Sequence, residues 1–303
     1  MKIVLSKFRK NLKTFEKFFF VWFLPKGLRK KIRNTDFYGE IYRQPMNYFR
    51  IWEILLTFEF LDLKANLKIL DISSPKILSL YLALNGYQNL IISDLEDYFI
   101  NDFKIYNEVF KISTKLDIFD AIKIPYDDNS VDRVFSISVL EHIPESGDKK
   151  VLREVQRILK PGGIFVFTIP LYEDYLEEWV LPNENFSIYW KTKKQENRYF
   201  YQRRYNESSI LTRFKLSGLT IEDIIYIAEV PIKEPEINNF GMVLFNYHYL
   251  NRFFLARLVK FIRKVPLLPY FYERFLSILH HYLTRNCNDK NIRHAVIKMI
   301  KRL

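Results

Sequence analysis

The sequence predicts an α/β fold for its middle: a doubly wound, mostly parallel sheet with helices on both faces, carrying basic helical extensions at both ends. Three observations carry this prediction. Between residues 67 and 170 short apolar runs alternate with helical segments, the pattern of strand-helix-strand units. Hydrophobic residues make up 49% of the chain and aromatic ones 17%, enough for a packed core. The net charge of +12 is unevenly placed: residues 1–34 hold 11 Lys/Arg against one acid, and residues 243–303 hold 12 against two. The stretch 35–242 carries 24 basic and 32 acidic residues, so the basic character belongs to the two ends.

The elements follow in order. Residues 1–35 mix Lys/Arg with Phe, Leu and Trp and read as a basic aromatic arm. In the segment 41–63, Ile51, Leu55, Leu56 and Phe60 have the spacing of an amphipathic helix lying beside the first strand. LKILDI (67–72) is strand one, ILSLYLALNG a helix capped by Gly86, and NLIISDL (89–95) strand two. A third strand falls near 109–119, and VDRVFSISVL (131–140) is a buried fourth. KKVLREVQRILKPGG (149–163) keeps Val151, Leu152, Val155, Ile158 and Leu159 on one face and is expected to stop at Pro-Gly-Gly. IFVFTIP (164–170) is strand five.

Residues 171–206 break the alternation, as an insertion facing the sheet's carboxyl edge would. The segment 207–230 then gives a helix, Gly218 and a sixth strand. LNRFFLARLVKFIRK and PYFYERFLSILHHYL read as two basic amphipathic helices, so the main domain is expected over 36–242 and a helical extension over 243–303. Whether a last strand forms from GMVLFNYHY (241–249) is open at this stage.

Composition also excludes. One cysteine, Cys287, allows no intramolecular disulfide and fits a reducing compartment. His248 and the pair His280-His281 lack Cys or acidic partners at ligand spacing, so no metal is expected. No apolar run approaches the ~20 residues of a membrane span. FFFVWFLP (18–25) is too short, and no small-residue cleavage site follows it. The expectation is a cytoplasmic protein, or one peripheral at the inner membrane face.

The run from DAIKIPYDDNSVDRVFSISVLEHIPE to LREVQRILKPGGIFVFTIP (120–170) strongly resembles the class I S-adenosylmethionine-dependent methyltransferases. An Asp-Ala-x-x-Leu-Pro-Phe stretch, a Ser-Phe-Asp strand start, a Glu-His after strand four and a Leu-Lys-Pro-Gly-Gly before strand five recur there in this order. With strands one and two the resemblance covers about 67–170, and FYQRRY (200–205) is also similar to that family. It implies a Rossmann-like fold and S-adenosylmethionine as cofactor.

It further implies site residues. Asp94, closing strand two, would accept hydrogen bonds from ribose hydroxyls, with Glu96 and Asp97 as rivals. Asp120 and Ala121 fall where the family contacts adenine, Asp71 would order the loop below the methionine moiety, and Ser136 joins the cofactor set. Where family members carry Gly-x-Gly, this chain has Ser73, Ser74 and Pro75. Ser74 can cap a helix that Pro75 begins, and a helix N-terminus attracts anions. Ser73, Ser74 and Lys76 are therefore expected to receive the methionine carboxylate.

His142 is the candidate general base, since imidazole titrates near working pH; the plainer reading is that Glu141-His142 only shapes its loop. Tyr172 and Arg204 are the candidate acceptor contacts, near Trp179 and Tyr201, while Arg203 is expected to stay solvated. The acceptor is expected to be a small molecule, a sugar or a lipid-linked compound. A non-catalytic scaffold with a degenerate cofactor site is the alternative, and an RNA methyltransferase a third. The basic ends suit an anionic membrane surface, or packing on the core or self-association into a dimer with their cations facing water, better than nucleic acid.

Overall fold

The computed structural model describes residues 26–35, 50–181, 194–195, 197–215, 218–229 and 281–302. The helices are α1 (Lys26–Arg33), α2 (Arg50–Phe60), α3 (Ile77–Leu84), α4 (Ile100–Phe110), α5 (Gly147–Ile158) and α6 (Glu207–Phe214). The strands are β1 (Ile69–Ile72), β2 (Leu90–Asp94), β3 (Lys115–Ile118), β4 (Val131–Ile137), β5 (Leu159–Pro170), β6 (Leu176–Val180), β7 (Lys194–Gln195), β8 (Arg198–Arg204), β9 (Thr220–Glu229), β10 (His281–Thr284) and β11 (Ile292–Ile300).

Eight strands form one sheet in the order β10-β9-β11-β5-β4-β1-β2-β3, and β6-β8-β7 form a small second sheet. From β3 to β5 all pairings are parallel. β11 runs antiparallel to both of its neighbours, and β10 runs antiparallel to β9. The chain moves outward from β1 through β2 to β3 and returns to β4 on the other side of β1. Parallel strands put their carboxyl ends at one edge, and this reversal opens a crevice between β1 and β4 there.

Alternation along the strands divides the core into two layers. Ile69, Phe135, Ile137, Ile164 and Val166 pack toward Ile32 of α1 and the helices α2, α3 and α4. Leu70, Val134, Phe165, Phe167 and Ile169 pack toward Val151, Leu152 and Val155 of α5 and Ile210 and Phe214 of α6. Both faces are thus covered, which is why these strands read as continuous apolar runs. α3 ends as its sequence predicts, Gly86 taking a φ of +87° just past the last turn. α6 starts at a reciprocal cap: Ser209 N–H donates to Asn206 Oδ1 at 2.9 Å and Asn206 N–H to Ser209 Oγ at 2.8 Å.

Three boundaries differ from the sequence prediction. α5 ends at Ile158, and Leu159-Lys-Pro-Gly-Gly opens β5 instead of closing the helix. Gly162, at φ +76°, gives its N–H to Lys301 O at 2.8 Å, so the glycine bends the strand start toward the end of β11. The helical extension is corrected at its end, because residues 281–284 and 292–300 are strands. The main domain therefore does not stop at 242: β11 is an interior strand whose Ala295, Val296, Ile297 and Met299 are fully buried. The rest of that extension, the segment 241–249 and residues 1–25 lie outside the described residues. Among the described residues no helix is long and apolar enough to cross a membrane.

Candidate active site

The turn after β1 is built around Asp71, which has no exposed surface. Its Oδ1 accepts the Ser74 N–H at 3.0 Å and its Oδ2 the Ser79 hydroxyl at 2.5 Å. Burial pushes the Asp71 carboxyl up, against the opposing pull of Lys76 and these donors. Ser73 has a φ of +52°, a left-handed backbone at the place where the family carries glycine, and its N–H donates to Ser93 O at 3.1 Å. Ser74 is fully buried and accepts the Ile137 N–H at 3.0 Å, tying the turn to the end of β4.

Two expectations for this turn are corrected. The helix begins at Ile77 with Lys76 in the capping position and no side-chain cap, so Ser74 does not cap it. Lys76 is 1% exposed and is not turned toward a ligand. Its ammonium donates to Ser93 O and to Asp94 Oδ2, each at 2.9 Å, and lies 5.0 Å from the centre of the Phe99 ring. The side chains of Ser74 and Lys76 are both buried and bonded within the protein, so neither is presented to a methionine carboxylate. Ser73 stays half-buried at the edge of the turn.

Asp94 does sit at the carboxyl end of β2, where its side chain keeps 13% exposure. Beyond it Leu95, Tyr98 and Ile118 are 53%, 41% and 50% exposed, an apolar ledge across the ends of β2 and β3. Asp120 is exposed at the rim with Oδ1 accepting the Ile122 N–H at 3.1 Å, and Ala121 is buried beside it. Acids around an exposed apolar ledge suit a nucleoside, whose ring is flat and apolar and whose sugar donates hydrogen bonds. The residues present fit the adenosine half of S-adenosylmethionine; the turn after β1 does not fit the other half in the expected way. Glu96 and Asp97 lie past the strand end, with Asp97 O accepting the Ile100 N–H. Ser136 is corrected as well: fully buried, it donates to Ile72 O at 3.0 Å and ties β4 to β1 instead of facing the crevice.

Sequence reasoning missed a buried polar cluster where β4 and β5 end. Glu53 of α2 is 1% exposed. Thr168 and Ser138 donate to its Oε1 at 2.7 and 2.9 Å, and Arg50 Nη1 to its Oε2 at 2.9 Å. Arg50 Nη1 also reaches Ser138 Oγ at 2.5 Å, and Ser138, at φ +51°, gives its N–H to Thr168. Burial alone would raise the Glu53 carboxyl, but Arg50, His294 and the two hydroxyls outweigh it and hold it below the usual range. The available signal was an Arg and a Glu three apart inside the apolar run RIWEILL.

Glu141 and His142 form a single 3₁₀ turn after β4. Glu141 is 2% exposed and its Oε2 has no hydrogen-bond partner among the described residues. Burial first, and then repulsion from Glu53, push it up to about 8. His142 Nδ1 lies 2.8 Å from Tyr201 O, an acceptor only, so Nδ1 carries the proton and Nε2 is the basic nitrogen of the neutral ring. Burial lowers the His142 pKa, only partly offset by the Tyr201 carbonyl, and this keeps the ring neutral.

Tyr201 belongs to β8, and its ring also meets that of His142 at 5.5 Å, edge to face. The small sheet holds a cavity of about 480 Å³ lined by β6 and β8, including Trp179, Arg198, Tyr201 and Arg204. Tyr172 is 37% exposed and Arg204 lies 4.2 Å above its ring, so the structure brings these two predicted residues together. Arg204 also pairs with Glu178. Arg203, expected to be solvated, is fully buried: Nη1 donates to Ile143 O at 2.5 Å, Nη2 to Glu145 O, and Nε lies 3.3 Å from Glu177. It clamps the loop that follows His142.

Residues 70–167 match the model of the methyltransferase domain family. This segment is a class I S-adenosylmethionine-dependent methyltransferase domain. The methyltransferase domain is similar to sterol 24-C-methyltransferase of Pneumocystis carinii (strain B80), 35% identical over 98 residues, which are 32% of this chain and 23% of that protein. It is also similar to dimethylglycine N-methyltransferase of Parasynechococcus marenigrum (strain WH8102), 47% identical over 60 residues, 20% of each. The matched segment spans only about a fifth of these relatives' length. Phosphoethanolamine N-methyltransferase 2 of Haemonchus contortus, solved with phosphomonomethylethanolamine and S-adenosylhomocysteine, shares the fold with a TM-score of 0.50 at 18% identity, covering 91% of this chain and 61% of that one. The cofactor of the methyltransferase domain is S-adenosylmethionine.

Proposed function

We propose that the chain transfers a methyl group from S-adenosylmethionine to a small-molecule or lipid-linked acceptor that carries a carboxylate or phosphate. The observation that carries this reading is the placement of His142 in the turn after β4, with its Nδ1–H fixed at 2.8 Å on the carbonyl of Tyr201, a residue that lines the cavity of the small sheet. When bound, the cofactor supplies the methyl group and a neutral sulfur leaving group. Asp94 would take a ribose hydroxyl, Asp120 and Ala121 the adenine, and Ser73 with Arg50 the carboxylate end. Arg50 is assigned because its side chain keeps 28% exposure where that of Lys76 keeps 1%, while the Arg50 Nη1 stays on Glu53 and Ser138. His142 Nε2 would accept the acceptor's proton as the new bond to carbon forms.

The acceptor class comes from charge accounting in the cavity. Glu177 and Glu178 are each matched by an arginine, Arg203 and Arg204. Arg198 has no ion-pair partner among the described residues, and Arg204 Nε is buried without an acceptor. Guanidinium donors in excess favour a planar or tetrahedral oxyanion. Radiolabelled methyl transfer to acceptor panels tests this. Anionic acceptors should turn over, Arg198→Gln with Arg204→Gln should raise KM at least ten-fold with little change in kcat, and a preference for uncharged acceptors would refute the assignment.

A second reading, a non-catalytic scaffold, is favoured by the Lys76–Asp94 pair, which occupies part of the cofactor anchor. Titration calorimetry separates the two readings. Micromolar binding of S-adenosylhomocysteine, abolished by Asp94→Ala, supports the enzyme, and no binding at millimolar ligand supports the scaffold. Attachment to an anionic membrane is supported by α1, where Lys26, Lys30, Lys31 and Arg33 are exposed while Ile32 is buried against the core. Flotation with anionic vesicles should weaken when Lys30 and Arg33 become Glu.

A further inference from the structure

The anchor for the cofactor ribose is more crowded than a diol requires. Asp94 receives three donors: the Leu95 N–H on Oδ1 at 2.8 Å, and on Oδ2 both the Lys76 ammonium and the Tyr98 hydroxyl, each at 2.9 Å. A carboxylate offers about four lone-pair positions, so a single one remains, on Oδ1. Two neighbouring sugar hydroxyls need two.

The two donors on Oδ2 are not equally removable. Lys76 is 1% exposed, is held a second time by Ser93 O, and rests against the Phe99 ring. Withdrawing its ammonium would leave a largely buried carboxylate without its counter-charge, a severe penalty. Tyr98 is 41% exposed and meets Phe99 only edge-on, ring centres 5.8 Å apart. Its hydroxyl can exchange Asp94 for water at little cost.

We propose that the Tyr98 hydroxyl occupies on Asp94 the place of one ribose hydroxyl, and that the cofactor binds by displacing it, which makes Tyr98 an affinity- and specificity-determining residue of the cofactor site. This rests on the reading of the crevice as a nucleoside site. With Lys76 fixed, Asp94 offers a free position on Oδ1 and, once Tyr98 swings out, one on Oδ2. The chain thus pays for the second ribose bond by breaking one of its own. A phenylalanine would remove that competitor and leave the ring's contact with Phe99 in place.

The test is calorimetric titration of the full chain and of Tyr98→Phe with S-adenosylhomocysteine, adenosine and 2′-deoxyadenosine. Tyr98→Phe should bind S-adenosylhomocysteine about five-fold tighter, the net worth of one exposed hydrogen bond that water can replace. Its preference for adenosine over 2′-deoxyadenosine should widen by a similar factor. Equal or weaker binding of S-adenosylhomocysteine by Tyr98→Phe overturns the proposal while leaving the cofactor reading intact. Failure of both S-adenosylhomocysteine and adenosine to bind either protein at millimolar concentration overturns both. A urea midpoint for Tyr98→Phe close to that of the parent chain shows that affinity, not folding, is being read.

Discussion

Glu141→Gln is the sharpest probe of the buried polar cluster. Glu141 is 2% exposed, its Oε2 has no partner among the described residues, and its pKa is raised from 4.5 to about 8, chiefly by burial. At ~1.4 kcal/mol per decade this elevation corresponds to roughly 5 kcal/mol of penalty on the ionised form. The sign follows from linkage. Between pH 4.5 and 8 the unfolded chain ionises this carboxyl while the folded chain keeps it protonated, so its contribution is complete below pH 4.5, is lost as pH rises, and is level above 8. Glutamine has the same shape and no proton to lose. Urea unfolding of both proteins at pH 5, 7 and 9 should therefore show the variant equal to the parent, or about 1 kcal/mol weaker, at pH 5, where the added amide donors need partners. It should be more stable by a few kcal/mol at pH 9. A difference that does not change with pH would refute the buried neutral acid.

Three further outcomes follow from other groups. Ser136→Ala should cost about 1 kcal/mol in urea unfolding, for the lost bond to Ile72 O, and leave S-adenosylhomocysteine affinity unchanged; a ten-fold loss of affinity would return Ser136 to the cofactor site. His142→Asn should lower kcat by about 10²- to 10⁴-fold. Because burial lowers its pKa from 6.5, the parent's kcat should hold through neutral pH and fall only on acidification below that value, an inflection absent from the variant. Arg213→Met should cost roughly 3–5 kcal/mol, since it strips Asp148, fully buried, of its counter-charge and of bonds at 2.6 and 2.8 Å, leaving it the Lys149 N–H at 2.9 Å and the Tyr205 hydroxyl at 3.1 Å. A change under about 1 kcal/mol would mean that the Arg213–Asp148 pair does not hold α6 to α5.

What could be read from the sequence was what neighbours in sequence determine. β1, β2, β4 and β5 are buried on both faces and so are nearly uninterrupted apolar runs, and Asp94 announced itself as the acid that ends one. The roles of Lys76 and Glu53 depend on contacts 18 and 115 residues away, with Asp94 and Thr168, which no periodicity encodes. A cation beside a glycine-free turn looked like a group for a ligand, yet the nearest carboxylate was internal. Arg203 failed for the same reason: its guanidinium is spent on the carbonyls of Ile143 and Glu145, some 60 residues earlier. Residues 281–284 continue a run that looks helical by spacing, and they are extended because β9 offers a free ladder.

The placement of β11 has a consequence for how the molecule is made. Among the described residues it is the seam between two halves that otherwise share no ladder, joining Ile164–Pro170 on one side to Thr220–Ala228 on the other. During synthesis both flanking ribbons emerge long before their common neighbour and must wait with unmet amide and carbonyl rows. A ribosome stalled before residue 292 would hold a polypeptide with two sticky borders, an evident client for a chaperone and a ready seed for clumping. Truncation from this terminus should abolish recovery of soluble material well before it touches any residue of the crevice.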